Sequence, residues 1–296
     1  MDGLILVDKP AGWTSHDVVS YLRGALREKR TGHTGTLDPA ATGLLLVLVG
    51  KATRLARYYE QDDKEYRAVM SLGSETDTQD AEGKVIKECP VPELTRESVE
   101  SVFAKFTGEI SQTPPMYSAV KRNGRPLYAH ARAGVEVEVS PRKVFIRGIG
   151  FVEMEGPLVT FDTRCSKGTY IRTLCKDMGE ALGSCAHLLT LRRVSVGGYK
   201  VEDAVSIEGK PSGDDIIKYL TPLDKILPGL PSAVVNGPAA RRVRDGRAPA
   251  REEAVMPDAL PAGAPLRVFD EDGNLLAMAE STGEHDMPLL LKVVLV

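Results

Sequence analysis

The sequence predicts an α+β chain in which one large domain precedes a small β-rich one. Three observations carry that reading. An aliphatic run at residues 44–49, LLLVLV, reads as a strand buried on both faces, and residues 66–72 alternate apolar and mostly polar positions with the period of a half-buried strand. Between such strands, apolar residues recur at helical spacing over residues 15–27, 95–106 and 169–183. Pro228 and Pro231 then interrupt the chain, and the remaining stretch of about 65 residues holds short strand signals joined by an Asp-Gly turn.

Composition narrows the class. A chain of 296 residues with 42% hydrophobic and 27% charged side chains can bury an ordinary core. The apolar run of the opening MDGLILVDKP is short and broken by Asp8, unlike a signal peptide, and no later run reaches membrane-spanning length, which implies a cytoplasmic protein without a membrane partner. A formal charge of −3 argues against coating nucleic acid indiscriminately, so any RNA contact must come from local basic patches. Cys89, Cys165, Cys175 and Cys185 have neither CxxC spacing nor nearby His pairs; buried free thiols and no metal site are expected.

In chain order, residues 3–7 form an apolar strand and KPAGWTSHD a Pro/Gly turn, with Trp13 as a core-packing residue. Ser15 is the expected N-cap of a helix running to about Arg27, with Val18, Val19, Leu22 and Leu26 on one face. Arg27, Lys29 and Arg30 read as a solvated helix end. Residues 31–43 are small and turn-forming, with one imidazole, His33, and one carboxylate, Asp38, whose backbone Pro39 biases away from helix. On the Asp-Pro dipeptide alone, Asp38 would be a turn opener. Tyr66 lies on the apolar face of its strand, and SETDTQDAEG at 74–83 reads as a hairpin loop. Residues 113–143 interleave Lys121, Arg122, Arg125, Arg132, Arg142 and Lys143 with Tyr117 and Tyr128 and show almost no aliphatic periodicity until the end, as a flexible RNA clamp requires. Strands follow at 144–153 and 158–164. Thr169 is the expected N-cap of the next helix, whose core face is Ile171, Leu174, Cys175 and Met178. Arg172 falls in its first turn, where a cation opposes the helix dipole; local stability does not explain it, and an anion nearby would. On that ground its removal is expected to spare stability.

The string GHTGTLDPAATGLL resembles, throughout, the catalytic motif of the TruB family of pseudouridine synthases, the bacterial type acting at position 55 of tRNA. KPAGWTSHD, KEYRA, PPMYSAVKRNGRPLY-HAR-G, GTYIRT and HLLTLRRVSVGGY are similar to other segments of that family. The resemblance implies a pseudouridine synthase fold, with a central mixed or antiparallel sheet flanked by helices over residues 1–228. It also implies a thumb-like insertion at about 113–143 and a small PUA-like RNA-binding domain at 229–296 with an Arg-rich edge at Arg241, Arg242, Arg244, Arg247 and Arg251. It makes Asp38 the nucleophile, Arg172 its ion-pair partner and Tyr66 the residue stacked on the target base and proposed to help move its proton. Leu191 would line the base pocket, Asp77 and Asp80 join a network near it, and Lys9 sit in the segment beneath the loop, where it is grouped with the substrate-binding residues. His33 would fill the stack that the extruded base leaves, and Lys121, Arg125, Tyr128 and Arg132 hold RNA.

The implied reaction cuts uracil from C1′ at N1 and rejoins it through C5. It is redox-neutral and needs no cofactor or metal. Its partner is the tRNA T arm, and a monomer is expected. Whether Asp38 attacks C6 or C1′, and whether Tyr66 or Asp38 removes the C5 proton, stays open at this point. Two rivals remain: a guide-RNA-dependent synthase on the same fold, and an RNA-binding or tRNA-folding protein with a secondary synthase site.

Overall fold

The chain opens with β1 (Gly3–Lys9) and helix α1 (Ser15–Leu26), whose buried face is Val18, Val19 and Leu22. The computed structural model describes residues 1–118, 120–122, 124–135, 137–257, 260–284 and 288–295, without the side chains of Lys121 and Arg132. The cap of α1 is Thr14 rather than Ser15. Thr14 and Asp17 form a reciprocal capping box, in which the Asp17 N–H donates to Thr14 Oγ1 (3.0 Å) and the Thr14 N–H to the Asp17 carboxylate (2.8 Å). Ser15 is thereby free to turn inward.

Next come β2 (Thr31–His33), β3 (Thr42–Val49), the short helix α2 (Ala56–Glu60) and β4 (Lys64–Leu72). The acidic stretch is a hairpin of β5 (Ser74–Thr76) and β6 (Val85–Glu88). Thr95 caps α3 (Arg96–Lys105), which leads to β7 (Gly108–Gln112). The basic insertion holds a small hairpin, β8 (Lys121–Arg122) and β9 (Arg125–Pro126), and a short helix α4 (Leu127–Arg132) whose Leu127 is buried. It is therefore more structured than its aperiodic sequence implies. Then follow β10 (Arg142–Glu155), β11 (Leu158–Cys165), α5 (Ile171–Ala181), β12 (Ala186–Val196), β13 (Tyr199–Lys200), β14 (Val205–Ser206), α6 (Gly213–Ile217) and β15 (Thr221–Pro222).

Among the described residues the main sheet runs β14-β1-β3-β12-β4-β11-β10-β7. It is mixed: β3 pairs with β12 in parallel and β1 with β14 in parallel, while β1–β3, β12–β4, β4–β11, β11–β10 and β10–β7 are antiparallel. The aliphatic β3 is buried on both faces, as its composition predicts. Leu45, Val47 and Val49 pack under α1, whereas Leu44, Leu46 and Leu48 pack with Leu55 and Tyr59 on the other side. Further along the sheet, Ala68, Met70 and Leu72 of β4 are covered by Val99, Val102 and Phe103 of α3 and by Leu174, Cys175 and Met178 of α5. Helix α5 lies so close to β12 that a Cβ on Gly179 would come within 2.4 Å of the Ala186 Cβ.

A second sheet begins after Pro231 with β16 (Ser232–Val235), followed by α7 (Gly237–Arg244), β17 (Ala254–Val255), β18 (Pro265–Asp270), β19 (Leu275–Ser281) and β20 (Leu289–Val294), in the order β17-β16-β18-β19-β20. It has its own core beneath α7. Leu275, Met278, Val293 and Leu295 nevertheless turn towards Leu55 and Tyr59 of the main body, so the two parts share buried surface.

The cysteine expectation holds for two of four. Cys165 and Cys175 are buried free thiols, but Cys89 and Cys185 form a disulfide. The hairpin and the loop before β12 bring them side by side, Cα–Cα 5.6 Å, across a sequence separation of 96 that no local pattern reports.

Candidate active site

The loop between β2 and β3 is fixed from beneath. Ser15 Oγ, 2% exposed, accepts from the Leu37 N–H (2.8 Å) and donates to the Leu37 carbonyl (3.1 Å). The ammonium of Lys9 is fully buried and donates to the carbonyls of Pro10 (2.9 Å), Trp13 (2.6 Å) and Pro39 (3.1 Å). Burial pushes its pKa down to about 8. Arg193 of β12 reaches the same loop, donating to the carbonyls of Leu44 (2.7 Å), Gly35 (3.1 Å) and Thr36 (3.5 Å). Gly43, at φ +102°, lets β3 cross β12, since a Cβ there would lie 2.2 Å from the Arg193 carbonyl. Buried donors aimed at carbonyls thus hold the residues on both sides of Asp38.

Above the loop is a cleft of about 800 Å³, walled by the loop, β4, β12, the N-terminus of α5, the acidic hairpin and the insertion. Asp38 projects into it with 41% of its side chain exposed, 3.1 Å from Arg172 Nε. Arg172 is 6% exposed and gathers distant segments: it donates to the Thr78 carbonyl (3.1 Å) and the Asp80 carboxylate (3.3 Å) from the hairpin, and to the Tyr117 carbonyl (3.0 Å) from the insertion. Asp80 is held in turn by the Thr78 hydroxyl (2.5 Å) and the Glu82 N–H (3.1 Å). The helix beneath Arg172 starts at Ile171, not at a Thr169 cap. Thr169 Oγ1 donates to the Ser166 carbonyl (2.9 Å), and the buried Gln112 of β7 accepts from the Tyr170 N–H (3.1 Å) and donates to its carbonyl (3.3 Å). An amide from β7 thereby satisfies the backbone of Tyr170, the residue from which the helix starts.

The electrostatics depart from a simple ion-pair picture. The Asp38 carboxyl is held above the usual carboxylate range because burial, aided by Asp80, outweighs the downward pull of Arg172 and Lys9. Pairing alone would have favoured the ionised form. Burial likewise raises the Tyr66 phenol, with Arg193 opposing it by its charge and a hydrogen bond. His33 stays neutral because burial, then Arg193, then His16 lower its pKa. Its Nδ1 is buried without a partner among the described residues.

The structure brings Asp38, Arg172, Tyr66, Leu191, His33, Asp80 and Tyr128 to this cleft. Leu191 lies opposite Ala68 and Arg193 opposite Tyr66 in the β12–β4 ladder. Three predicted residues lie elsewhere. Lys9 cannot meet a ligand, because its ammonium is enclosed under the loop. Asp77 is exposed outside the cleft, accepting from the Lys84 N–H (2.8 Å) to close the hairpin turn. Arg125 is exposed on the β8–β9 hairpin, outside the cleft lining. The side chains of Lys121 and Arg132 lie outside the described residues. Sequence reading passed over Arg193 and Gln112. The first was legible, since a residue two places along a strand from Leu191 shares its face.

The family model described as "TruB family pseudouridylate synthase (N terminal domain)" matches residues 23–171. The chain belongs to the TruB family. The model of the "tRNA pseudouridylate synthase B C-terminal domain" continues the match over residues 172–209. The chain is 45% identical over 289 residues to "tRNA pseudouridine synthase B" of Geobacter sulfurreducens, covering 95% of this chain and 94% of the relative. It is 44% identical over 284 residues to the protein of the same name from Dechloromonas aromatica, covering 95% and 91%. Among solved structures, a chain of a "Cbf5-Nop10-Gar1 Complex" superposes with TM-score 0.76 at 26% identity, covering 99% of this chain and 85% of that one.

Proposed function

We propose that this TruB-family chain isomerises uridine to pseudouridine at position 55 in the T-loop of tRNA, as a cytoplasmic monomer acting without cofactor or metal. The observation that carries the reading is the Asp38–Arg172 pair, 3.1 Å apart on the wall of a cleft that also presents Tyr66, Leu191 and His33. The volume of about 800 Å³ admits a whole nucleotide, so the target base is extruded from its stack at a cost of about a few kcal/mol. Tyr66 and Leu191 enclose the uracil, and the neutral His33, at the cleft edge, takes the vacated place. Asp38 attacks C6 of the base or C1′ of the ribose. On either route the N1–C1′ bond breaks, the uracil turns, the C5–C1′ bond forms, and the C5 proton leaves. Nothing is oxidised, and no external group is consumed.

The insertion at about 113–143 and the β-rich unit at 229–296, read as a PUA-like domain, supply the backbone grip. In the latter, however, Arg242 is paired with Glu253, Arg244 with Asp270 (2.8 Å) and Arg247 with Asp245 (3.1 Å), so these cations are partly neutralised within the chain. The likeness to a chain from a Cbf5-Nop10-Gar1 complex favours one second reading, a synthase that acts only with partner proteins and a guide. One assay separates the two: purified chain, incubated with an unmodified tRNA transcript, is expected to form pseudouridine at position 55 unaided. Asp38→Asn is expected to abolish product while preserving the fold, since only the carboxylate is a competent nucleophile. Its melting temperature should be unchanged or slightly raised, because the ionised carboxylate is disfavoured by its surroundings. Turnover by Asp38→Asn, or an inactive parent chain, would overturn the proposal.

A further inference from the structure

Arg193 carries a full positive charge into the interior without an anion to receive it. It is 3% exposed, and its side chain donates to the backbone carbonyls of Leu44, Gly35 and Thr36. Among the described residues no carboxylate lies within ion-pairing distance of it. The neighbouring Arg192 behaves in the ordinary way, forming a bidentate pair with Asp8 at 3.0 and 2.8 Å. Arg172 likewise has Asp38 and Asp80. The basic neighbours of Arg193 offer it no relief: Lys9, Lys64 and His33 all have their pKa values lowered in part by it. A buried guanidinium in such company is costly unless a negative charge is to appear beside it.

The ladder shows where that charge can appear. Arg193 is the cross-strand partner of Tyr66, on the face that carries Leu191 and Ala68, and its charge favours the Tyr66 phenolate. Both residues line the cleft. Tyr66 and the fixed guanidinium of Arg193 therefore stand side by side on the wall of the space that would take the base.

We propose that Arg193 is a positioning residue for the proton-transfer step: Tyr66 first gives its phenolic proton to solvent, and the guanidinium beside it stabilises the resulting phenolate, which accepts the C5 proton. In that step the C5–H bond breaks, the proton goes to the Tyr66 oxygen, and the bonding pair restores the C5=C6 double bond. The displaced pair ends on the departing Asp38 carboxylate or on N1, according to where Asp38 attacked. Cys165 of β11 and Asp38 of the loop also act on Tyr66, and both disfavour its phenolate, so Arg193 is the group that opposes them. This inference rests on the synthase reading above.

The test compares the parent chain, Arg193→Gln, Arg193→Lys, Tyr66→Phe and the Arg193→Gln/Tyr66→Phe double variant on tRNA transcripts carrying protium or deuterium at C5. Arg193→Gln should lower kcat about 100-fold or more with KM little changed, regain rate as pH rises, and show a larger C5 isotope effect than the parent. Added to Tyr66→Phe it should cost far less than it does alone, the remainder being its hold on the loop. Arg193→Lys, which keeps the charge, should fall between the two. A readout without substrate is the phenolate absorbance of Tyr66, taken as parent minus Tyr66→Phe, which should emerge at higher pH in Arg193→Gln. Because Arg193 also ties the loop, a purely structural role would lower rate equally at every pH, leave the isotope effect and the phenolate titration unmoved, and add to Tyr66→Phe; that set of results overturns the proposal. Should Arg193→Gln fail to fold, Arg193→Lys must still show a shifted phenolate titration, and an unshifted one overturns it. An inactive parent chain overturns the synthase reading and this inference together, whereas an active parent with pH-independent variants overturns the inference alone.

Discussion

Replacing Arg172 by Leu should damage stability and chemistry in separable ways. The side chain is 6% exposed, so its bonds are not exchanged for water when it is removed. Its contact with Asp80, a 15% exposed carboxylate at 3.3 Å, is worth about 1.5–3 kcal/mol as a charged hydrogen bond, and the carbonyls of Thr78 and Tyr117 add about 0.5–1.5 kcal/mol each. The Asp38 contact adds little to stability, because that carboxylate is 41% exposed. Against this, leucine avoids the desolvation of a buried cation. The balance is a loss of about 3 kcal/mol, or a fall in melting temperature of about 6–12 °C. The expectation from the helix dipole alone, that removal would spare stability, fails because the guanidinium is tied to three segments outside its own helix. The chemical effect has a definite sign. Arg172 pulls the Asp38 pKa down, so without it the carboxyl rises further and less of the nucleophile is ionised at a given pH. The acid limb of kcat/KM should therefore move to higher pH. Thermal melts, with pseudouridine formation followed from about pH 5 to about 9, measure both effects. An unchanged melting temperature together with an unmoved acid limb would refute the reasoning.

Lys9→Met should cut activity by loosening the Asp38 loop and should also change alkaline stability. Because the folded ammonium titrates at about 8 instead of 10.5, the unfolded chain holds more protons between those values, and the parent gains about 3 kcal/mol relative to the variant as pH rises across that window. Parallel urea-unfolding curves for the two proteins at every pH would sink this. Arg122→Ala with Arg125→Ala should weaken tRNA binding and reduce its salt slope by about 1–2, whereas Arg244→Ala, whose cation is held by Asp270, should mainly destabilise the second sheet. Equal salt slopes for parent and the Arg122/Arg125 variant count against the clamp. Reducing the Cys89–Cys185 bond should remove up to about 4–5 kcal/mol by the chain-entropy account of a loop spanning 96 positions, read as a shift in urea midpoint with and without reductant. Identical midpoints would mean the cross-link restrains nothing.

Local chemistry was legible in the sequence, and long-range tethering was not. The buried β3 and the small-residue loop before it announced themselves through composition, and the family motif named Asp38. Arg172 was legible through a conflict, a cation at the wrong end of a helix dipole. What it holds was hidden, because Thr78, Asp80 and Tyr117 lie 94, 92 and 55 positions away. The same applies to Gln112, which bonds the backbone of Tyr170 at the start of α5 from 58 positions upstream, and to the disulfide. The arginines between 241 and 251 looked like an RNA-facing edge because counting cations ignores their partners, and Glu253, Asp270 and Asp245 claim three of them, Arg242, Arg244 and Arg247. Lys9 misled for the opposite reason, since a lone lysine beside a catalytic loop suggests a ligand contact, yet its donors are all spent on carbonyls inside the fold.

That use of carbonyls bears on how the site works. The groups holding the loop, Lys9, Ser15 and Arg193, bond its backbone, so they fix where Asp38 stands without touching its carboxylate. A loop secured through its side chains would have to cover the nucleophile to keep it still. Here the loop is rigid from below while the carboxylate remains 41% exposed to the cleft. The cost is two buried cations with no carboxylate against either among the described residues, a burden that a fold optimised for stability alone would shed by replacing them with apolar groups. The two differ in what that cost obtains. Lys9 is enclosed on all sides and favours the ionised form of Asp38, whereas Arg193 borders the cleft and leaves a positive potential beside Tyr66. The two act at opposite ends of the pH range, so an Arg193 variant should regain rate as pH rises, whereas a Lys9 variant should lose rate most on the acid side, where Asp38 then stays protonated to higher pH.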